Sequence, residues 1–455
     1  MTIRRQLGGS LVLIALAGVA SADGGGASTP NLNLESFDVV WTTIRDHHPD
    51  PALRGLDWET VRAELRPRVA AARSTEEARE VMVEMIDRLD QSHFQIIPAE
   101  VLEALGRRPE EGALGGETGV DVRVIGGRAL VTAVRAASSA AVAGVAPGWE
   151  VTDIDGEDLA PVLRKVTDAY RGRSWLDAHL AGTVDGRLEG PVGTEVRVGM
   201  RGGGRDRTEV VLKRQEPRGE RYKLGFIPGI PVWIEHRTLA GGVGYVAFSS
   251  FLDPVRLMPE LGKAITSFMT APGVILDLRG NGGGLGAMVT GVAGWLVGPG
   301  QTNLGTVRLR DVELRMVVFR RPETYSGPVA ILTDGLSVSG AEVLAGGLQA
   351  LGRARVFGSR TAGMVLASQI DRLPNGDAFQ YVFANYTSPS GAVLEGRGVV
   401  PDVEISPGQE DLLASRDQVL EAAVGWIVES SGRADQHARD GSKEPVRDAE
   451  GSRQQ

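Results

Sequence analysis

Cysteine is absent from all 455 residues. Its absence excludes disulfides, thiolate metal sites and a cysteine nucleophile together. Histidine is scarce: there are six, with no His-x-x-x-His or Glu-x-x-His grouping to form a zinc site. Aromatic residues make up 5% of the chain, the net charge is -9, and no Lys/Arg-rich stripe is present. Base stacking and phosphate neutralisation both lack a surface, which argues against nucleic acid as a partner. Lysine is missing between Lys263 and Lys443, a gap that bears on the choice of catalytic base.

What is present is ordinary for a soluble globular protein, with 42% apolar and 24% charged residues. The length exceeds one hydrophobic core and implies two or three domains. Arg4 and Arg5, the apolar run Leu11 to Val19 and then Ala20-Ser21-Ala22 have the layout of a signal peptide over 1–22. The run is short for a membrane span, although a retained anchor helix is the alternative. Periplasmic or secreted location and no stable membrane span after cleavage are the expectations. The adjacent arginines raise twin-arginine export without the rest of that signal.

Residues 23–30 are expected to form a flexible linker. Over 31–105 the spacing is helical: Phe37, Val40, Trp41 and Ile44, then Trp58, Val61, Leu65 and Val69, then Val81, Met82, Met85, Ile86 and Leu89. Over 115–216 the pattern changes to short strands with Gly-Gly, Pro-Gly and Asp-Gly turns, interrupted by a helical insertion at about 160–182. From 225 to 428 strands alternate with helices, which predicts an α/β domain with its functional residues at strand ends. The last helix is expected at 411–428, and 430–455 read as a disordered tail. The fold class expected is multidomain α+β.

Two segments could carry chemistry. Ser339-Gly340-Ala341-Glu342 lies between a buried strand and a helix, where a serine hydroxyl meets helix N-terminal amides that favour developing negative charge. The same four residues also read as a Ser-x-x-Glu capping box, and on this segment alone that explanation suffices. The run Gly280-Asn281-Gly282-Gly283-Gly284 follows a buried strand and lets backbone approach a substrate closely. A plain turn explains it too; a phosphate loop does not, because the Gly-Lys-Ser/Thr ending is missing.

In combination, "GVILDLRGNGGG", "SVSGAEVLAGGLQALGRARVFGSRTAG" and "LEGRGVVPDVEI" resemble the S41 peptidases, the family of tail-specific proteases and the tricorn core. The resemblance extends to "LDQSHF" in the helical region and implies a crotonase-like catalytic domain. It also implies a nucleophile three positions before the helix glutamate, which selects Ser339 over Ser337. The tail-specific branch places a lysine base 25 residues further on, where this chain has Met364. Methionine accepts no proton. The tricorn-like branch instead uses a Ser-His pair and a glutamate ahead of "GVxPD", and Ser92-His93 and Glu395 match both.

The implied reaction is acyl transfer: His93 takes the Ser339 proton, Ser92 and Glu395 orient His93, and the amides of Gly340 and of one glycine in 282–284, with Gly282 and Gly283 the first candidates, hold the oxyanion. A capping role for His93 and a solvated loop charge for Glu395 are the structural alternatives. His47 and His48 read as surface residues, and His179 and His236 have no nameable partner. The stretch 115–216 resembles a PDZ domain, with Trp149 where aspartate is usual, which implies peptide capture near Gly119 and Val120 by strand addition. A packing domain that binds nothing is the alternative. Unfolded or tail-exposed proteins or peptides are the expected substrates, and no cofactor or metal is expected. A catalytically silent binding protein and a crotonase-like acyl-CoA enzyme are the competing functions.

Overall fold

The computed structural model describes residues 29–105, 115–204, 206–300 and 302–441. The expected signal peptide and most of the expected linker lie outside the described residues, as do 442–455 of the expected tail. Among the described residues no helix is long and apolar enough to cross a membrane.

The N-terminal unit packs α1 (Thr29–His47), α2 (Trp58–Ala70) and α3 (Thr75–Asp87) around one apolar cluster, followed by β1 (Gln95–Ile97) and α4 (Ala99–Leu105). Side-chain caps fix two of the starts: Asp57 accepts from the amide of Thr60 at 3.0 Å and Ser74 from that of Glu77 at 3.1 Å. His48, expected at the surface, is instead fully buried; its ring bonds Gln91 Oε1 at 2.7 Å and stacks on Phe94. An aromatic ring with a polar partner for its nitrogen loses little by burial.

The next unit runs through β2 (Val120–Ile125), β3 (Arg128–Val134), α5 (Ser139–Val142), β4 (Glu150–Ile154), β5 (Glu157–Asp158), α6 (Leu159–Ala169), α7 (Leu176–Leu188), β6 (Glu195–Arg201) and β7 (Arg207–Lys213). Its antiparallel sheet has the order β2-β3-β4-β6-β7 with β5 on β4, so β2 is an edge strand. The helical insertion is longer than expected, because α7 continues to Leu188 and buries Leu180, Val184 and Leu188 against that sheet. A hairpin, β8 (Glu220–Leu224) and β9 (Ile227–Val232), leads onward.

The remaining elements are β10 (Ile234–Thr238), β11 (Gly244–Phe248), α8 (Pro254–Ser267), β12 (Val274–Asp277), α9 (Gly286–Ala293), β13 (Asn303–Arg308), β14 (Glu313–Val317), β15 (Val329–Thr333), α10 (Gly340–Ala350), β16 (Arg355–Gly358), β17 (Ala367–Arg372), β18 (Ala378–Thr387), β19 (Val403–Glu404), α11 (Gln409–Leu413) and α12 (Gln418–Gly441). The central sheet has the order β10-β11-β12-β15-β16-β19, parallel except for β10. Its central strands β11, β12 and β15 are buried on both faces, which is why β12 and β15 read as unbroken apolar runs. Val274, Leu276, Val329 and Ile331 face α8, α9 and α10, while Ile275, Ala330 and Leu332 face α12. The helix expected at 411–428 is two helices, and the second continues to Gly441, into the segment expected to be disordered.

A second sheet, β1-β18-β13-β14 with β17 on β18, joins the N-terminal unit to this domain. Ile96 pairs with Phe379 and Ile97 with Ala378. The helical region is therefore docked by a strand, not carried beside the domain on a linker. An ion pair fastens the same seam: Asp377, with no exposed side-chain surface, accepts from Arg79 Nη2 at 2.8 Å, Arg79 Nε at 3.0 Å and the amide of Ala99 at 2.9 Å. Asp377→Asn leaves Arg79 largely buried and half-paired, and is expected to cost about 3 kcal/mol. The urea midpoint measures this; a loss below about 1 kcal/mol would mean that the pair contributes little to the seam.

Candidate active site

The carboxyl ends of three adjacent parallel strands converge. β11 leads into Ser249-Ser250-Phe251, β12 into the glycine run, and β15 into the turn ending at Ser339. Two buried polar side chains shape the turns. Asn281 donates to Phe248 O at 2.7 Å and accepts from the amide of Gly283 at 3.0 Å. Ser337 donates to Leu278 O at 2.7 Å, so its hydroxyl is committed to the backbone. Ser339 differs. It is fully buried, its Oγ has no hydrogen-bond partner, and its backbone sits at φ 56°, ψ −113°. A non-glycine residue in that region stores about 1–3 kcal/mol, held in place by its surroundings.

Ser339 and Glu342 stand in a capping-box relation, yet the carboxylate does far more than cap. Glu342 Oε2 accepts from the amides of Ser339 at 3.0 Å and Met364 at 2.9 Å. Its Oε1 accepts from Thr361 Oγ1 at 2.6 Å and the amide of Gly363 at 2.7 Å. Burial pushes its pKa up to about 7 against the pull of these four donors.

The N-terminal unit delivers His93, which lies two residues before β1 and is 5% exposed. Its Nδ1 lies 2.7 Å from Ser92 Oγ. The Ser92 hydroxyl in turn bonds the carboxylate of Glu395, which also accepts from the amides of Ser92 at 3.1 Å and Val365 at 2.9 Å. A carboxylate only accepts, so Ser92 Oγ–H donates to it and receives the Nδ1–H of His93. That assigns the free lone pair to Nε2, which is buried and has no protein partner. Burial pulls the His93 pKa down to about 3 and pushes that of Glu395 up. The ring is neutral near pH 7.

Ser92, His93 and Glu395, scattered across the sequence, thus form one hydrogen-bonded chain. Gly282 and Gly283 do not supply the expected oxyanion amides: that of Gly282 donates to Ser249 O at 3.0 Å, and that of Gly283 to Asn281 Oδ1. Of the three glycines 282–284, Gly284 is the one whose amide is left available. Among the described residues its amide and that of Gly340 face no acceptor, and a methyl at Gly340 would lie 3.3 Å from Gly284 N. The signal for Gly284 was the glycine run itself; nothing in the sequence says which of its amides the neighbouring strand consumes. Gly283 matters sterically, since a methyl there would stand 2.7 Å from Ser339 Cβ and 2.7 Å from Val338 O. Met364 packs on Val338 and Ala362 and contributes only backbone polar groups: its N–H to Glu342 and its carbonyl to the amide of Ser339.

Gly119 and Val120 lie at the start of β2, along a cavity of about 560 Å³ between that strand and α7. Gly119 has φ 86°, and a side chain there would collide with Ser138. Asp185 and Glu189 line the same cavity, their pKa values raised by burial to about 7 and about 8. Further along β2, the Arg123 guanidinium pairs with Asp334 at 2.8 Å, on the turn that carries Ser339. His179 lies tilted against Tyr170 and His236 edge-on to Phe268.

Residues 242–405 match the family model described as peptidase family S41, and residues 33–87 match the tricorn protease C1 domain. The chain thus carries an S41 peptidase domain, and its relatives mark it as a serine peptidase. Among its relatives, carboxyl-terminal-processing peptidase 3 of Arabidopsis thaliana chloroplasts is 26% identical over 83% of this chain and 69% of that protein. A putative tricorn protease homolog 2 of Streptomyces coelicolor is 26% identical over 87% of this chain, which spans only 32% of that longer protein. Of the solved structures, the photosystem II D1 C-terminal processing protease shares the fold with a TM-score of 0.56 at 21% identity, covering 86% of this chain and 97% of its own. Mature CPAF does so with a TM-score of 0.59 at 13% identity, covering 90% and 98%.

Two outcomes follow from the geometry. Gly283→Ala combines a positive φ of 77° with backbone overlap at Val338 O, and is expected to lower stability by about 2 kcal/mol. An unchanged urea midpoint would mean that the glycine run relaxes away from Ser339. The second concerns pH. His93 titrates near 6.5 when unfolded and near 3 when folded, so the stability tied to its neutral burial is present above pH 6.5 and lost as pH falls from there towards 3. Between pH 7 and pH 4 the wild type is expected to lose more stability than His93→Gln. Parallel curves would show that the folded ring titrates as the unfolded one does.

Proposed function

We propose that this S41 peptidase is an exported endopeptidase acting on unfolded or tail-exposed polypeptides, with Ser339 as nucleophile and His93 as general base. One observation carries the reading: Ser339 Oγ and His93 Nε2 are both buried without a protein partner, while every other side-chain polar atom of Ser92, His93 and Glu395 is engaged. Unpaired buried polar groups are costly and persist where chemistry uses them.

In the proposed mechanism His93 Nε2 accepts the Ser339 proton as Oγ attacks the scissile carbonyl. The amides of Gly340 and Gly284 receive the negative charge developing on the carbonyl oxygen. The imidazolium then protonates the leaving amine, and water repeats the sequence to release the acyl group. Ser92 and Glu395 hold the tautomer and stabilise the imidazolium. Burial keeps the resting ring unprotonated, the form in which it can accept the serine proton. Met364 removes the lysine alternative, since no lysine lies between 263 and 443.

The middle unit is read as a PDZ-like module, and the α/β domain as crotonase-like. Support for the first is the edge strand β2, the adjoining α7 and the cavity between them, dimensions suited to an extended peptide added to the sheet at Gly119 and Val120. Export rests on the layout of residues 1–22.

Fluorophosphonate labelling of the mature protein, mapped by mass spectrometry, tests the assignment. Modification at Ser339 in the wild type, none in Ser339→Ala and at least a 100-fold slower rate in His93→Ala are expected. Labelling of the folded wild type at another serine, or none at all, would overturn it.

A further inference from the structure

We infer that Glu342 is a positioning residue: its carboxylate, by gripping the backbone of 363–364, sets the place of Ser339 relative to His93. The inference rests on the proposed roles of Ser339 and His93, and goes beyond them to a group that touches neither substrate nor the transferred proton.

The geometry forms a continuous path. Glu342 is fully buried, and all four of its contacts are donors: Thr361 Oγ1, Gly363 N, Met364 N and Ser339 N. The Thr361 hydroxyl also accepts from the amide of Val399 at 2.6 Å, which directs its proton to the carboxylate. The next amide along, that of Val365, belongs to Glu395. Consecutive N–H groups of one short segment are therefore held by two different carboxylates, one fully buried and one half-buried. One is fixed to the serine through helix α10, and the other to the histidine through Ser92. The Met364 carbonyl closes the path by accepting from Ser339 N at 2.9 Å. The segment 363–365 is a crossbar between nucleophile and base, and Glu342 is its attachment on the nucleophile side.

Only a carboxylate fits this place. Its two oxygens offer about four lone-pair positions, which four donors fill. A glutamine of the same shape offers one oxygen and turns an NH₂ towards two donors, whichever way the amide is flipped. Helix capping alone would need only the bond to Ser339 N; the three bonds to 361–364 are what capping leaves unexplained.

Glu342→Gln is the test, read in the full-length mature protein by three measurements: the fluorophosphonate labelling rate, kcat and KM on unfolded casein, and amide hydrogen exchange over 361–366. The expected results are a fall of about 100-fold in labelling rate and kcat, KM within about twofold, and faster exchange at Met364 and Val365. Thr361→Val, which removes one donor and keeps the carboxylate, is expected to move the same quantities in the same direction by a smaller factor and serves if Glu342→Gln does not fold. Wild-type exchange and wild-type kcat in a folded Glu342→Gln protein would overturn the inference. Faster exchange at 364–365 with no labelling in either protein would leave the crossbar standing and sink the serine-peptidase assignment of the site instead.

Discussion

The site depends on one half-buried carboxylate, Glu395, which joins parts of the chain far apart in sequence. It accepts from Ser92 at the end of the helical unit and from Val365 behind the parallel sheet. Burying it is unfavourable, as its raised pKa records, and the amide and hydroxyl donors around it are the compensation. Such a bond specifies geometry more than it adds stability, because each donor fits only one arrangement of the two units. The ladder between β1 and β18 brings the units together coarsely; the carboxylate sets the final alignment.

Around that alignment the site keeps several unfavourable features in place at once. Ser339 sits at positive φ, His93 is held neutral by burial, and two glutamates lie in low-dielectric surroundings. Each costs free energy that the apolar clusters on both faces of the central sheet offset. The glycine run belongs to the same account. Gly283 approaches Ser339 Cβ and the Val338 carbonyl more closely than any side chain permits, and Asn281 fixes the run from within.

The replacement of lysine by Met364 is absorbed without distortion because the backbone, and not the side chain, holds that position. Met364 keeps its N–H on Glu342 and its carbonyl on Ser339, while its thioether joins Val338 and Ala362 in a small apolar cluster.

Much was legible in the residues themselves. Local spacing and caps define α2 and α3, and strands buried on both faces announce themselves as apolar runs, since these features depend on near neighbours in the chain. The strand–turn–helix junction at Ser339 and the unavailability of lysine were equally open to view. What the sequence could not decide were facts of long-range pairing. These include the docking of β1 on β18, the burial of His48 against Phe94, the continuation of α12 to Gly441, and the amide of Gly284 left free while those of Gly282 and Gly283 are consumed. A glycine's identity states where backbone can go, but only its neighbours in space determine which N–H remains unpaired. Glu342 makes the same point: in sequence it is a capping residue three positions after a serine, and only the fold brings residues 361–364 within reach of its carboxylate.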